Sequence, residues 1–252
     1  MRPEERAGYL MHARTPAFRR RLAEARKCIR EALAQSERPY IAYSTGKDST
    51  CTAHLVWEQT PDTPGVYFDA ECAYPESYAL LGRMDVAGYP LTRWPCRNFL
   101  EILQAYGGPH ADDAKLGAAT MEWTVYEPIR RLLADRRYDC VFVGLRADES
   151  AARRVLLRSR GLLFPNARDG ILECCPVGYW SDQDVWAYIH SQELDYCRAY
   201  DRMEEMPLRE RRISYWAGET NRQRGRWAWL RLHYPDLFNE LVRRFPEAPW
   251  YT

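Results

Sequence analysis

An α/β fold built on a mostly parallel sheet is predicted by three observations. Short continuous apolar runs, at 40–43, 66–68, 91–94 and 140–143, alternate with stretches whose apolar residues recur at helical spacing. The runs lack the in–out alternation of a half-solvated sheet, so they read as strands covered on both faces by helices. Each run also closes on polar or reactive residues, where sites form in such sheets.

Taken in order, 15–35 is the first helix: Thr15 can cap it, Pro16 suits its first turn, and Phe18, Leu22, Ala25, Ile29 and Leu33 share a face. Strand 40–43 leads through the turn 44–48 into a helix over 49–59, and strand 66–68 ends at Asp69. A helix over 75–86 and a strand at 91–94 follow, then helices at 98–106 and 120–136. The polar, Gly-rich stretch 107–117 between those two helices reads as a mobile surface loop. Strand 140–143 closes at Gly144. Segments 162–164 and 171–173 flank Asn166-Ala167-Arg168-Asp169-Gly170 as a hairpin, and Ser181 with Asp184 forms a capping box at the next helix. We divide the chain into an N-terminal helical segment (1–36), a core (37–200) and an Arg/Trp-rich helical extension of the same domain (201–252).

Composition narrows the function. Of 252 residues 46% are hydrophobic and 28% charged, and 36 cations against 35 carboxylates leave a net charge of +1, with no global steering toward nucleic acid. No apolar run of about 18 residues exists and the N-terminus lacks an apolar signal core, so a soluble, cytoplasmic protein without a membrane partner is expected. Eight scattered cysteines without a C-x-x-C pair, and five histidines without an HExxH pair, disfavour a disulfide scaffold or a metal cluster.

The chemistry concentrates in Ser44-Thr45-Gly46-Lys47-Asp48-Ser49, between a strand and a helix. Gly46 permits a turn with positive φ. Successive N–H groups at a helix start form an anion nest, Ser44 and Ser49 add hydroxyl donors, and Lys47 adds a point charge. It is not a Walker A loop, since GxxxxGK[ST] is absent. Arg146 and Arg153, after strand 140–143, suit a bidentate phosphate or sulfate clamp, or ion pairs with Glu149 or Asp148. Asp48 can hold Mg²⁺ or cap the following helix. Cys72, at a strand end before a helix start, is placed either to carry sulfur as a stabilised thiolate or to pack. Seven arginines over 209–231 (209, 211, 212, 222, 224, 226, 231), interleaved with Tyr215, Trp216, Trp227 and Trp229, fit a nucleic-acid backbone or a helical cap whose tryptophans pack inward.

The loop resembles the SGGKDS pyrophosphate loop of the N-type ATP pyrophosphatases and the phosphoadenylylsulfate (PAPS) reductases. Three further segments are similar in the family's order: Asp69-Ala70-Glu71-Cys72-Ala73-Tyr74-Pro75-Glu76-Ser77, Gly144 through Arg153, and Pro176 through Trp186. The resemblance covers 38–201. It implies a Rossmann-like adenine nucleotide α-hydrolase fold, with ATP and Mg²⁺ bound. Lys47, Asp48, Arg146 and Arg153 would be catalytic, and Ser44, Thr45, Gly46, Ser49, Phe68, Asp69 and Gly144 nucleotide-binding. Thr45 stands where the family has its first glycine; being β-branched, it predicts a negative φ there.

The resemblance implies an ATP pyrophosphatase that adenylates an acceptor for sulfur transfer, as in DNA phosphorothioation, with DNA at the 209–231 segment and a cysteine desulfurase or other sulfur donor, with further modification proteins, as partners. A PAPS or adenylylsulfate reductase is the alternative, but its C-terminal E-C-G-[IL]-H nucleophile is not found, and Cys174-Cys175 without a CxxC predicts no iron–sulfur cluster. A nucleotide-binding scaffold without turnover is the third reading.

Overall fold

The structure, a computed structural model, describes residues 2–206, 211–217 and 226–252. A six-stranded sheet in the order β3-β2-β1-β4-β6-β5 organises it, from β1 (Pro39–Tyr43), β2 (Gly65–Asp69), β3 (Leu91–Pro95), β4 (Cys140–Val143), β5 (Leu163–Pro165) and β6 (Leu172–Cys174). β1 runs parallel to β2 and to β4, with Ile41 opposite Gly65 and Tyr40 opposite Val141. β4 runs parallel to β6. The predicted hairpin forms as antiparallel β5 and β6. The mostly parallel α/β architecture is therefore as expected. Strand order departs from β1 in both directions, toward β2 and toward β4, which makes the C-terminal ends of β1 and β4 the crevice where such sheets bind ligands.

The helices are α1 (Pro3–Ala13), α2 (Pro16–Leu33), α3 (Lys47–Trp57), α4 (Pro75–Val86), α5 (Phe99–Ala105), α6 (Asp113–Met121), α7 (Glu127–Arg136), α8 (Ala151–Arg160), α9 (Asp182–Ser191), α10 (Arg226–His233) and α11 (Pro235–Arg244). The chain clusters into two compact units. One comprises Met1–Tyr67, Glu76–Arg93 and Leu132–Arg212; the other comprises Phe68–Pro75, Trp94–Arg131 and Ile213–Thr252.

In the first unit, Thr15 caps α2 by accepting the Phe18 N–H at 3.2 Å, as read from the sequence. Phe18, Ala25, Cys28 and Ile29 give α2 its buried stripe, and Cys28 reaches Cys174 of β6 with 3.4 Å between sulfurs. Helix α1 carries no fully buried residue, so its own periodicity does not announce it. It is held by α9: Tyr9 stacks on Trp186 and His190, and His12 Nε2 lies 2.7 Å from the Asp184 carboxylate.

In the second unit, the expected mobile loop at 107–117 is instead largely structured. A one-turn 3₁₀ segment, Gly108–His110, precedes α6, whose start is fixed by Asp112 accepting the Lys115 N–H at 2.9 Å. Leu116 and Ala119 then bury one face. Gly108 has φ +59°, and a Cβ there would stand 2.9 Å from the Phe245 ring, so the glycine serves close packing rather than mobility. A π-helical stretch, Glu122–Tyr126, joins α6 to α7, where a single continuous helix was expected. Among the described residues, no helix is long and apolar enough to cross a membrane.

Candidate functional site

Residues 44–49 form the connection from β1 to α3. Gly46 is the N-cap of α3, with φ −66° and ψ 150°, the extended conformation a cap requires. The left-handed turn therefore falls one residue earlier, on Thr45, at φ +59°. Both sequence expectations are corrected here: positive φ belongs to Thr45 and not to Gly46. A β-branched residue in that region costs on the order of 1–2 kcal/mol. The Thr45 hydroxyl holds the turn by donating to the Ser44 carbonyl at 2.6 Å.

The serine hydroxyls are also engaged differently from expectation. Ser49 Oγ donates to the Gly46 carbonyl at 2.9 Å and accepts the Ser44 N–H at 3.2 Å. That proton being spent, the 3.0 Å contact between the two hydroxyls must be donated by Ser44 Oγ. Both hydroxyls fasten the loop internally and neither has a proton left for an anion. The anion-binding capacity lies in the main chain. The N–H groups of Asp48 and Ser49, in the first turn of α3, have no intrahelical acceptor, and the helix dipole adds positive potential there.

Four buried or half-buried charges surround this helix start. Lys47 is 7% exposed and Arg146 is 2% exposed. Lys47 Nζ lies 3.0 Å from Asp48 Oδ2 and 3.1 Å from Asp182 Oδ1. Arg146 donates from Nε to Asp48 Oδ1 and from Nη2 to Asp182 Oδ1, each at 2.6 Å, and from Nη1 to the Trp180 carbonyl at 3.1 Å. Two cations and two carboxylates thus form a charge-balanced quartet, with Asp148 Oδ2 at its margin, 3.9 Å from Arg146 Nη1. Burial works against the Asp182 carboxylate, yet Lys47 and Arg146 outweigh it and hold its pKa below the usual value. Burial likewise opposes the Arg146 guanidinium, and Asp48 and Asp182 reverse that effect and raise its pKa.

The quartet gives Asp48 a structural role. Both its oxygens accept from cations, so it anchors Lys47 and Arg146. Arg153 pairs with Glu149, whose other contact is the Arg146 N–H at 3.1 Å; it is linked to the quartet through that loop rather than placed in it.

Gly144 serves close approach. A Cβ there would meet Ser49 N at 2.6 Å and the Asp48 carbonyl carbon at 2.7 Å. The end of β4 thus lies against the first turn of α3, and only glycine allows it. Gly144→Ala is expected to cost about 1–3 kcal/mol as an overpacking substitution and to weaken anion binding; an unchanged urea midpoint would contradict this.

Phe68, Asp69 and Cys72 belong to the second unit. Asp69 Oδ1 accepts the Glu71 N–H at 2.9 Å, which steadies Glu71 at φ +57°, a left-handed turn like that of Thr45. Cys72 is 1% exposed, and burial pushes its thiol well above the ordinary value. Of the two readings of Cys72, sulfur carrier or packing thiol, this burial favours the packing thiol. In the 209–231 segment, Arg209, Arg222 and Arg224 lie outside the described residues. Arg211 is buried and donates to the Met206 and Glu204 carbonyls. Arg226, Trp216 and Trp227 are buried, while Arg212 and Arg231 are exposed.

Sequence reasoning missed Asp182 and Tyr200. Asp182 lies within the quoted 176–186 segment but reads there only as helix-start polarity. Tyr200 accepts the Lys47 N–H at 3.2 Å across 153 positions, and no local pattern signals that.

The family profile described as "Phosphoadenosine phosphosulfate reductase domain" matches residues 38–205. A phosphoadenosine 5'-phosphosulfate reductase of Xanthomonas oryzae pv. oryzae is 28% identical over 163 residues, 62% of this chain and 63% of that protein, so the match spans less than two thirds of the relative's length. Sulfate adenylyltransferase subunit 2 of Caulobacter vibrioides is 26% identical over 238 residues, 84% of this chain and 73% of that protein. The solved PAPS reductase of Candida auris, a phosphate complex, superposes with a TM-score of 0.59 at 17% identity, covering 77% of this chain and 89% of that one. The FMN adenylyltransferase of Candida glabrata, solved with FAD and inorganic pyrophosphate, gives 0.55 at 14% identity, covering 78% and 65%. At such identities the structural likeness bears on fold alone.

Proposed function

The chain belongs to the phosphoadenosine phosphosulfate reductase domain family, whose members are enzymes acting on nucleotides, and from that premise we propose that it is an ATP pyrophosphatase. It cleaves the α–β bond of ATP and adenylates an acceptor for sulfur transfer. The observation that carries the reading is the start of α3: unsatisfied N–H groups at the crevice of a parallel sheet, with Lys47 and Arg146 beside them.

The β- and γ-phosphates sit at that helix start. Lys47 turns from Asp182 toward the phosphate oxygens, while Arg146, held by three acceptors, stays as a fixed positive wall. Catalysis is positioning and electrostatics: the acceptor oxygen attacks the α-phosphorus, and pyrophosphate leaves into a site already positive. Mg²⁺ enters with the nucleotide as substrate.

The similarity to a sulfate adenylyltransferase subunit over 84% of this chain supports the ATP reading. So do the cysteines. Seven of the eight are buried and the eighth, Cys96, is half-buried, with burial pushing its thiol up to about 12; none is presented for attack on a sulfonyl sulfur. The acceptor in this proposal is DNA undergoing phosphorothioation, contacted through the 209–231 segment, with a cysteine desulfurase as sulfur source.

Incubation with ATP and Mg²⁺, and separately with PAPS and thioredoxin, distinguishes the readings. Pyrophosphate release that falls at least about 100-fold in Lys47→Ala is the expected result, since one preorganised charge contact is commonly worth that much. Sulfite release would establish the reductase instead, and nucleotide binding with neither product a scaffold.

A further inference from the structure

We propose that the Tyr200 hydroxyl is a further ligand of the bound anion, donating its O–H to a phosphate oxygen seated at the start of α3. The inference rests on the phosphate cradle proposed above and adds to it a residue that no motif announces.

Tyr200 lies on a short 3₁₀ segment, Arg198–Met203, and is 6% exposed. Its oxygen accepts the Lys47 N–H at 3.2 Å, which places it at the N-terminal turn of α3, 3.8 Å from where a Cβ of Gly46 would stand. Among the described residues its own proton is donated to no group. That is unusual for a hydroxyl so deeply buried. It contrasts with the loop hydroxyls of Ser44, Thr45 and Ser49, whose protons are all spent within the loop. The ring is fixed edge-on to Trp186, with centroids 5.4 Å apart and planes at 90°.

Burial, reinforced by the Asp48 carboxylate, pushes the phenol well above its ordinary pKa, so the proton is present at neutral pH. A hydroxyl that accepts from a helix N–H is polarised into a better donor. Because its oxygen already meets the Lys47 N–H, the hydroxyl adjoins the place that an anion at the helix start would take. The residue therefore relays the Lys47 amide to the ligand, which suits a di- or triphosphate with several acceptor oxygens.

The test is calorimetric titration of the full chain with inorganic pyrophosphate, beside thermal melting. Tyr200→Phe keeps the ring against Trp186 and removes only the hydroxyl. It is expected to weaken pyrophosphate binding about tenfold or more, the range for a hydrogen bond to a charged group, with a modest fall in melting temperature because the Lys47 N–H loses its acceptor. Wild-type binding with equal or tighter binding by Tyr200→Phe would overturn the inference and leave the cradle standing. No pyrophosphate binding by the wild type would remove the cradle itself. If Tyr200→Phe melts far below the wild type, 3,5-difluorotyrosine incorporated at position 200 supplies the second measurement. Its more acidic hydroxyl should tighten binding, and unchanged affinity would overturn the inference.

Discussion

Arg146→Ala is expected to destabilise the protein by about 3–5 kcal/mol, the usual cost of removing one member of a buried ion-pair cluster. Arg146 is among the most enclosed charges in the chain, and it satisfies three acceptors at once: Asp48, Asp182 and the Trp180 carbonyl. Its removal leaves two carboxylates sharing the single Lys47 ammonium and a buried carbonyl without its donor. For a chain of this length the loss corresponds to a fall in melting temperature of roughly 6–20 °C. Arg146→Lys should recover little, because one ammonium cannot reproduce a planar fork reaching three acceptors. The discriminating measurement is the double variant Arg146→Met, Asp182→Asn, which removes one cation with one carboxylate and leaves the Lys47–Asp48 pair. This charge-balanced removal should cost less than removing the arginine alone. If the double variant is the less stable in urea, the charge account is wrong and Arg146 matters for its packing.

Much of this site was legible in the sequence because its central feature is local. A strand, a tight turn with glycine and lysine, and a helix start follow one another within residues 40–57, so their spacing alone places N–H groups and an ammonium at a strand end. Handedness within the turn was not legible. The choice between Thr45 and Gly46 depends on which residue caps α3, and the cap must be extended; Gly46 therefore surrenders the positive φ that its chemistry would allow. Asp182 and Tyr200 were invisible for another reason. They meet Lys47 across more than 130 positions, through the return of α9 and the following turn to the β1–β4 crevice, and only the folded sheet brings them there. Cys72 shows another limit: a strand end next to a helix start leaves a thiolate and a packing thiol both open, and burial, which no local pattern announces, favours the latter. The fold class survived all of this because it rests on the alternation of whole elements and not on any one residue's surroundings.

Asp184→Ala should rival the arginine substitution, again at about 3–5 kcal/mol, for a carboxylate that is 0% exposed. Its Oδ1 accepts from Arg21 Nη1 at 2.8 Å and lies 2.7 Å from His12 Nε2. Its Oδ2 accepts from Arg21 at 2.7 Å and from both the N–H and the hydroxyl of Ser181 at 2.7 Å. One side chain thus closes the capping box of α9 and anchors α1 and α2 to it. The same residue makes stability depend on pH. Burial alone would raise its pKa, but the hydrogen bonds from His12, Ser181 and Arg21 prevail and lower it. A carboxylate depressed in the folded state stabilises fully above its unfolded pKa of about 3.9, and that contribution is lost as pH falls through the lower folded value. Asp182 is depressed in the same sense, so acid should unfold the protein progressively below about pH 4. Asp184→Asn keeps the shape but cannot titrate. Its stability deficit against wild type should be full at pH 7 and should shrink as the pH approaches 3, in urea titrations at matched ionic strength. An equal deficit at both values would mean that Asp184 acts by shape and hydrogen-bond count, with its charge contributing nothing.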